Sequence, residues 1–185
     1  MRVYGGVGLH DGFLEDFKLL EEFSSYVKVE DLRKIRFVNM QVFFEIKDQK
    51  MYLPVMFVQN NAMNMTLSGV QTFDDKIDYN LQINAGQVLM NKFKRHNKKL
   101  DPIKAKKRGL FNLYFNVYGT LDDFDYKTDK GKVKKAFQRS ERRKNEIKAM
   151  IVKAFGKIDL LDEYERPIPE IPEFTDEGEE EYIDW

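Results

Sequence analysis

The stretch "TFDDKIDYNLQINA", residues 72 to 85, alternates with period two: Phe73, Ile77, Tyr79, Leu81 and Ile83 occupy odd positions, and Asp78, Asn80, Gln82 and Asn84 fill the even ones. Successive side chains of a strand point to opposite faces, so this pattern predicts a β-strand with one buried apolar face and one face meeting water. Its neighbours repeat the device. "MQVFFEI" places Val42, Phe44 and Ile46 together, "AMNMTLSG" does the same for Met63, Met65 and Leu67, and "GLFNLYFNVYG" for Phe111, Leu113, Phe115 and Val117. "MYLPVMFV" follows the polar turn "KDQK", contributes Met56, and carries Pro54, which favours an edge or irregular strand. Strands joined by short polar turns pair antiparallel, so these segments predict a meander.

Upstream, "MRVYGGVGLHDG" reads as a short strand and turn entering a helix. Phe13, Phe17, Leu20 and Phe23 recur at spacings of three and four, predicting an amphipathic helix from about Phe13 to Ser25, with a second helical turn near Glu30 to Lys34. Downstream of the strands, residues from about Lys132 to Phe155 read as a long basic helix. Its apolar stripe, Val133, Phe137, Ile147, Met150, Ile151 and Ala154, is thin, Asp129 stands near its start, and Gly156 is a C-terminal stop. The last residues, 157 to 185, have the Pro and acidic bias of a disordered tail. The expected architecture is an α+β fold. It comprises a curved antiparallel meander with an N-terminal helix, a basic C-terminal helix and a tail, divided as a domain over 1–156 and a tail over 157–185.

At 185 residues, with 42% hydrophobic and 34% charged residues, the chain is long enough to bury a core. No run approaches the roughly 18 to 20 apolar residues of a membrane span, and the N-terminus lacks the order of a signal peptide. The absence of cysteine excludes disulfides, Cys-ligated zinc and thiol catalysis, and fits a reducing cytosol or a bacterial periplasm. Net charge is zero because two blocks cancel. Residues 91 to 153 hold 20 Lys and Arg against 7 Asp and Glu, whereas 157 to 185 hold 2 against 12.

The basic block supplies a candidate contact surface for anions. Lys92, Lys94, Arg95, Lys98, Lys99, Lys106, Lys107 and Arg108 lie in a loop between the last two strands, and Arg139, Arg142, Arg143 and Lys144 on the basic helix face. Phe93 is the loop's sole aromatic residue, so the aromatic interleaving of a nucleic-acid site is poor; nucleic acid and anionic membrane headgroups are the two candidate partners. A solvated surface is the commoner outcome for such runs.

Catalytic patterns are sparse. Asp122, Asp123, Asp125 and Asp129 form an acidic group, but an EF-hand loop would need an oxygen ligand where Lys127 stands, so turn and helix-start roles account for it better. His10 and His96 lie 86 positions apart in unlike surroundings. The glycines of "YGGVGLHDG" fit no phosphate-binding fingerprint, and Ser24, Ser25, Ser68 and Ser140 have no nucleophile-elbow context. These readings imply no metal, no cofactor and no enzyme.

The ordered series "GLHDGFLEDFKLLEEFSSYVKVEDLRKIRFVNMQVFFEIKDQKMYLPVMFVQNNAMNMTLSGVQTFDDKIDYNLQI", followed by "RGLFNLYFNVYGTLDDFDYKTDKGKVKKAF", resembles the C-terminal region of AsmA-family proteins, especially the long Bacteroidetes-type members, over about residues 5 to 155. The resemblance implies a bacterial cell-envelope protein, periplasmic and anchored to the inner membrane in its full-length form. It also implies outer-membrane assembly, transport of phospholipid along a hydrophobic β-groove, and other envelope-assembly proteins as partners. The preference for headgroups over nucleic acid at the basic block comes from this resemblance. The family's anchor and long preceding groove are not present here, so the chain looks like a C-terminal fragment or a short member. Under that expectation the alternating apolar residues line a wall that either closes as a dry core or shelters acyl chains. At about 25 cal/mol per Å² of apolar area, leaving that wall wet costs several kcal/mol. Methionines at 56, 63 and 65 suit an adaptable lining. The rival expectations are a module docking an anionic partner through its basic loop and helix and, far below it, a hydrolase using the Asp122 to Asp129 group.

Overall fold

A computed structural model describes residues 1–15, 33–85, 100, 103 and 111–156. Among these residues seven strands form one antiparallel sheet in sequence order: β1 (Arg2–Glu15), β2 (Lys34–Lys47), β3 (Lys50–Asn60), β4 (Met65–Thr72), β5 (Lys76–Asn84), β6 (Asn112–Thr120) and β7 (Phe124–Thr128). A helix, α1 (Lys130–Phe155), follows β7. The expected meander with a basic C-terminal helix is therefore the architecture of the described residues.

The turns explain the order. Between β2 and β3, Asp48 and Gln49 both adopt positive φ (51° and 58°), the two-residue primed turn whose twist matches that of paired strands. Between β4 and β5 the reversal ends on Asp75 at φ 64°, and the Lys76 N–H donates to Thr72 Oγ1 at 3.0 Å. Phe73 belongs to this turn and is 65% exposed, so the odd-face set of β5 begins at Ile77 and not at Phe73. The Lys76 ammonium and the Thr72 hydroxyl hold the exposed Asp74 carboxyl down to about 2.

Between β6 and β7, the Thr120 N–H donates to Asp123 O at 2.8 Å, and Asp123 N–H to Thr120 Oγ1 at 3.0 Å. Gly119 stands at φ 126°, and a Cβ there would lie 2.5 Å from Asp123 O, so the tight approach admits only glycine. β7 falls within the segment whose acidic residues are expected in turn and helix-start roles. Its pairing with β6 from Gly119↔Phe124 to Phe115↔Thr128 makes it a strand.

β1 overturns the N-terminal helix where the two overlap. Phe13 to Glu15 continue a fourteen-residue strand paired with β2 from Arg2↔Lys47 to Glu15↔Lys34. The ladder with β2 runs the whole length of this edge strand and fixes Phe13 in extended backbone, so its spacing from later aromatics does not decide its conformation. The remainder of that expected helix, 16 to 25, lies outside the described residues, as does most of the expected turn near residue 30; its last residue, Lys34, opens β2. The expected tail over 157–185 also lies outside them.

Pro54 is in an interior strand, not at an edge. The β3–β4 register shifts between Leu53 and Met56, which spares Pro54 a ladder bond it cannot donate, and the Val55 N–H goes to Ser140 Oγ of α1 at 3.2 Å. The short link from β3 to β4 is buried through its asparagines. Asn60 Oδ1 accepts from the N–H of Ala62 (2.8 Å) and Met63 (2.7 Å), and Asn61 Oδ1 accepts from Arg36 N–H at 2.8 Å.

Candidate functional site

The registers define two unlike faces on the central strands. Ile83, Leu81 and Tyr79 of β5 stand opposite Met65, Leu67 and Gly69 of β4, and opposite Leu113, Phe115 and Val117 of β6. Met65, Tyr79, Leu81, Ile83, Phe115 and Val117 form one apolar cluster together with Ile35, Ala62, Met63 and Ile77, with Leu53, Val58, Leu67, Leu113, Leu121 and Phe124 packed against it. Phe115 meets Tyr126 of β7 edge-on at 5.7 Å. Tyr79 donates its hydroxyl to Gln71 Oε1 at 2.9 Å, and burial raises its pKa above the ordinary tyrosine value.

Of the fifteen expected wall residues, Met63, Met65, Ile77, Tyr79, Leu81, Ile83, Phe115 and Val117 are buried in this cluster, and Leu67 and Leu113 pack half-buried against it. Met56 is buried but outside it. Val42, Phe44 and Ile46 sit half-buried on β2 toward the β1 edge. Phe111 does not join the wall: it precedes β6 and is 43% exposed.

The opposite face reverses an expectation. Thr66, Ser68, Asn80, Gln82 and Asn116 should meet water by their alternation, yet all are buried. The reason is α1, which lies across this face. Near its start, Lys132 Nζ donates to Asn116 Oδ1 at 2.7 Å, while Asn116 Nδ2 donates to Asp78 Oδ1 and the Tyr79 carbonyl. Lys130 and Lys134 stand over the Tyr114 ring. Val133 and Phe137 then close on Val55 and Tyr114 as a second, smaller core.

Further along, Arg143 Nε donates to Glu45 Oε2 at 2.8 Å, and the same guanidinium contacts Glu146. Arg2 of β1 forms an ion pair with the other Glu45 oxygen at 3.0 Å, without hydrogen-bond geometry. Glu45 is buried, so two guanidiniums clamp one carboxylate between sheet edge and helix. That pairing, first with Glu45 and then with Glu146, pushes the Arg143 pKa above its already high ordinary value.

The cationic residues sort differently from their expected roles. Arg139 and Arg142 are exposed as expected, but Arg143 is turned onto the sheet and Lys144 is only 7% exposed. Lys144 lies seven residues from Phe137 and three from Ile147, on the stripe that packs against the sheet. Burial lowers its pKa to about 8. Met150 and Ala154, assigned to the stripe, are exposed. A groove of about 500 Å³ runs beside the first turns of α1, lined by Asp129, Gly131, Lys132, Lys135, Ala136 and Arg139. The loop cations Lys92, Lys94, Arg95, Lys98, Lys99, Lys106, Lys107 and Arg108 lie outside the described residues.

The acidic group is spent on structure. Asp129 Oδ1 accepts from Lys132 N–H at 2.8 Å as the cap of α1, Asp125 Oδ1 accepts from Tyr126 N–H, and Asp122 and Asp123 occupy the β6–β7 turn. Among the described residues no three His, Asp or Glu side chains are grouped to hold a metal ion. No helix among them is long and apolar enough to cross a membrane. The asparagine hub at Asn60 and Asn61 escaped sequence reasoning; the doubled Asn directly after an apolar strand was its one available signal. No protein-family model, curated protein or solved structure matches this chain.

Proposed function

We propose that the chain is a non-enzymatic module of bacterial cell-envelope biogenesis, AsmA-like, in which the meander curves as a wall that handles phospholipid acyl chains in the periplasm during outer-membrane assembly. The observation that carries this reading is the continuity of the apolar face across β3 to β7, opposite a helix that seals the other side. The central wall positions are closed core. Acyl contact falls where the wall thins, at half-buried Val42, Phe44 and Ile46 beside Val7, which is 45% exposed and pairs with Val42. Native mass spectrometry of protein purified from a bacterial host, before and after lipid extraction, tests it. Phospholipid should co-purify and be largely lost in Val42→Asp, with the circular dichroism spectrum unchanged. Protein that is repeatedly lipid-free and fully folded overturns the reading.

A second reading rests on the groove beside α1, where Lys132, Lys135 and Arg139 line one concave strip that would seat an anionic headgroup or partner. Salt-sensitive binding of delipidated protein to anionic vesicles, with no lipid retained on purification, selects this alternative.

A further inference from the structure

The sheet ends in two edges of opposite character. β7 is five residues long and charged, with Asp125 and Lys127 along it. β1 is fourteen residues long and from Val3 to Leu9 carries neither charge nor proline. Among the described residues it pairs with β2 alone, and Val7, Leu9, Phe13 and Leu14 on it are exposed. Long apolar edges without a gatekeeping charge recruit another strand.

β1 is also nearly its own complement. Ile35 and Glu45 of β2 are ten residues apart, yet Ile35 joins the apolar cluster while Glu45 accepts from α1 on the other face. An even spacing on opposite faces means that β2 changes its alternation once between them. β1 stays paired to β2 throughout, so it turns over too. Gly5 and Gly12, seven apart, therefore share a face; a Cβ on them would come within 2.2 Å of the Phe44 ring and 2.4 Å of the Phe37 ring respectively. Arg2, Tyr4, Phe13 and Glu15 share the opposite face.

We propose that the outer edge of β1 pairs antiparallel with β1 of a second copy, about a two-fold axis between Gly8 and Leu9, so that one sheet runs through both copies. This register sets Arg2 against Glu15, Tyr4 against Phe13 and Gly5 against Gly12, with like faces matched in each of these three pairs. A strand of unbroken alternation could not match faces in it. The charges agree as well: Arg2 and Glu15 side chains are 47% and 58% exposed, so each can serve a second partner besides Glu45 and Lys34.

Sedimentation velocity of the full chain over a concentration series tests the pairing. Wild type should dimerise. Leu9, beside the axis, meets its counterpart diagonally, so Leu9→Lys and Leu9→Glu should each weaken the dimer by ~100-fold or more, and an equimolar mixture of the two should restore it. Wild type that stays monomeric at the highest soluble concentration overturns the proposal, including the case in which the edge takes a strand from another protein. A dimer that survives in both folded single variants, or a mixture that fails to re-associate, also overturns it.

Discussion

The two faces of β4 to β6 are buried alike and built unlike. On one, Leu67, Leu81 and Phe115 stand in a rank across three strands; on the other, one residue along, Ser68, Asn80 and Asn116 form the matching rank beneath α1. The apolar rank needs only to be covered, because the force that buries it is proportional to area and has no direction. The polar rank needs each donor and acceptor placed, since an unmade bond costs more than a made one returns. It is well served at Asn116, which holds Asp78, the Tyr79 carbonyl and Lys132, and incompletely served at Asn80 Oδ1 and Gln82 Oε1, which have no partner among the described residues. Period-two alternation therefore separates the two chemistries without saying which side is wet; that depends on what packs against each side.

The comparison breaks most visibly on the apolar side. Phe115→Ala removes a ring that is almost wholly buried between Leu81 and Tyr126, and should cost about 4 kcal/mol of unfolding free energy. Urea denaturation at unchanged slope measures it. A loss under about 1.5 kcal/mol would mean that the centre of this face is loosely filled, against the closed core that Phe115 occupies.

How much of this was legible depended on whether a local rule or a distant partner decided. Ile77 to Ile83 and Leu113 to Val117 could be assigned to strands and to one shared face, because a side chain's face follows from the backbone period alone. The cap at Asp129 and the stop at Gly156 were legible for the same reason: their chemistry lies within one helical turn. β1 was obscured by its glycines and by a spacing of three and four between apolar residues, which the ladder with β2 from Arg2↔Lys47 to Glu15↔Lys34 outweighs at Phe13. The burial of Asn80 and Gln82, the clamp on Glu45 and the inward turn of Arg143 and Lys144 all depend on where α1 lies. That contact joins residues 98 positions apart in the case of Glu45 and Arg143, and no window of sequence contains it. The basic helix face was half readable: Arg139 and Arg142 fall off the stripe set by Phe137 and Ile147, while Lys144 falls on it.

Lys144 sharpens the comparison from the helix side of the polar seam. An unfolded lysine titrates near 10.4, whereas burial holds this one at about 8, with Glu141 opposing the shift and Lys148 adding to it. The folded state thus binds fewer protons than the unfolded state between about pH 8 and 10, so unfolding free energy must rise with pH across that window. Below pH 8 the penalty is present in full, on the order of 3 kcal/mol at most. Lys144→Met should then stabilise the protein by about 2 kcal/mol at pH 7 and flatten the rise between pH 8 and 10. Burial raises the Tyr79 pKa, placing its opposing effect above this window. Equal slopes in wild type and variant would mean that the ammonium reaches water and that the seam is wetter than its burial implies.

The smallest expected effect carries the finest distinction. Gln82 sits opposite Thr66 and Tyr114 with its Oε1 enclosed and without a partner among the described residues. Methionine has nearly its length and flexibility, so Gln82→Met removes an orphaned acceptor without opening a cavity. Recovering the desolvation of that oxygen should leave the variant within about 1 kcal/mol of wild type, on the stabilising side. The same exchange at an amide whose bonds are all made would be destabilising, because its former partners would be left buried and unpaired. A loss above about 2 kcal/mol at Gln82 would therefore show that an ordered water completes its bonding. The polar face would then be a closed hydrogen-bond network, and α1 would be fixed on the sheet by direction as well as by area.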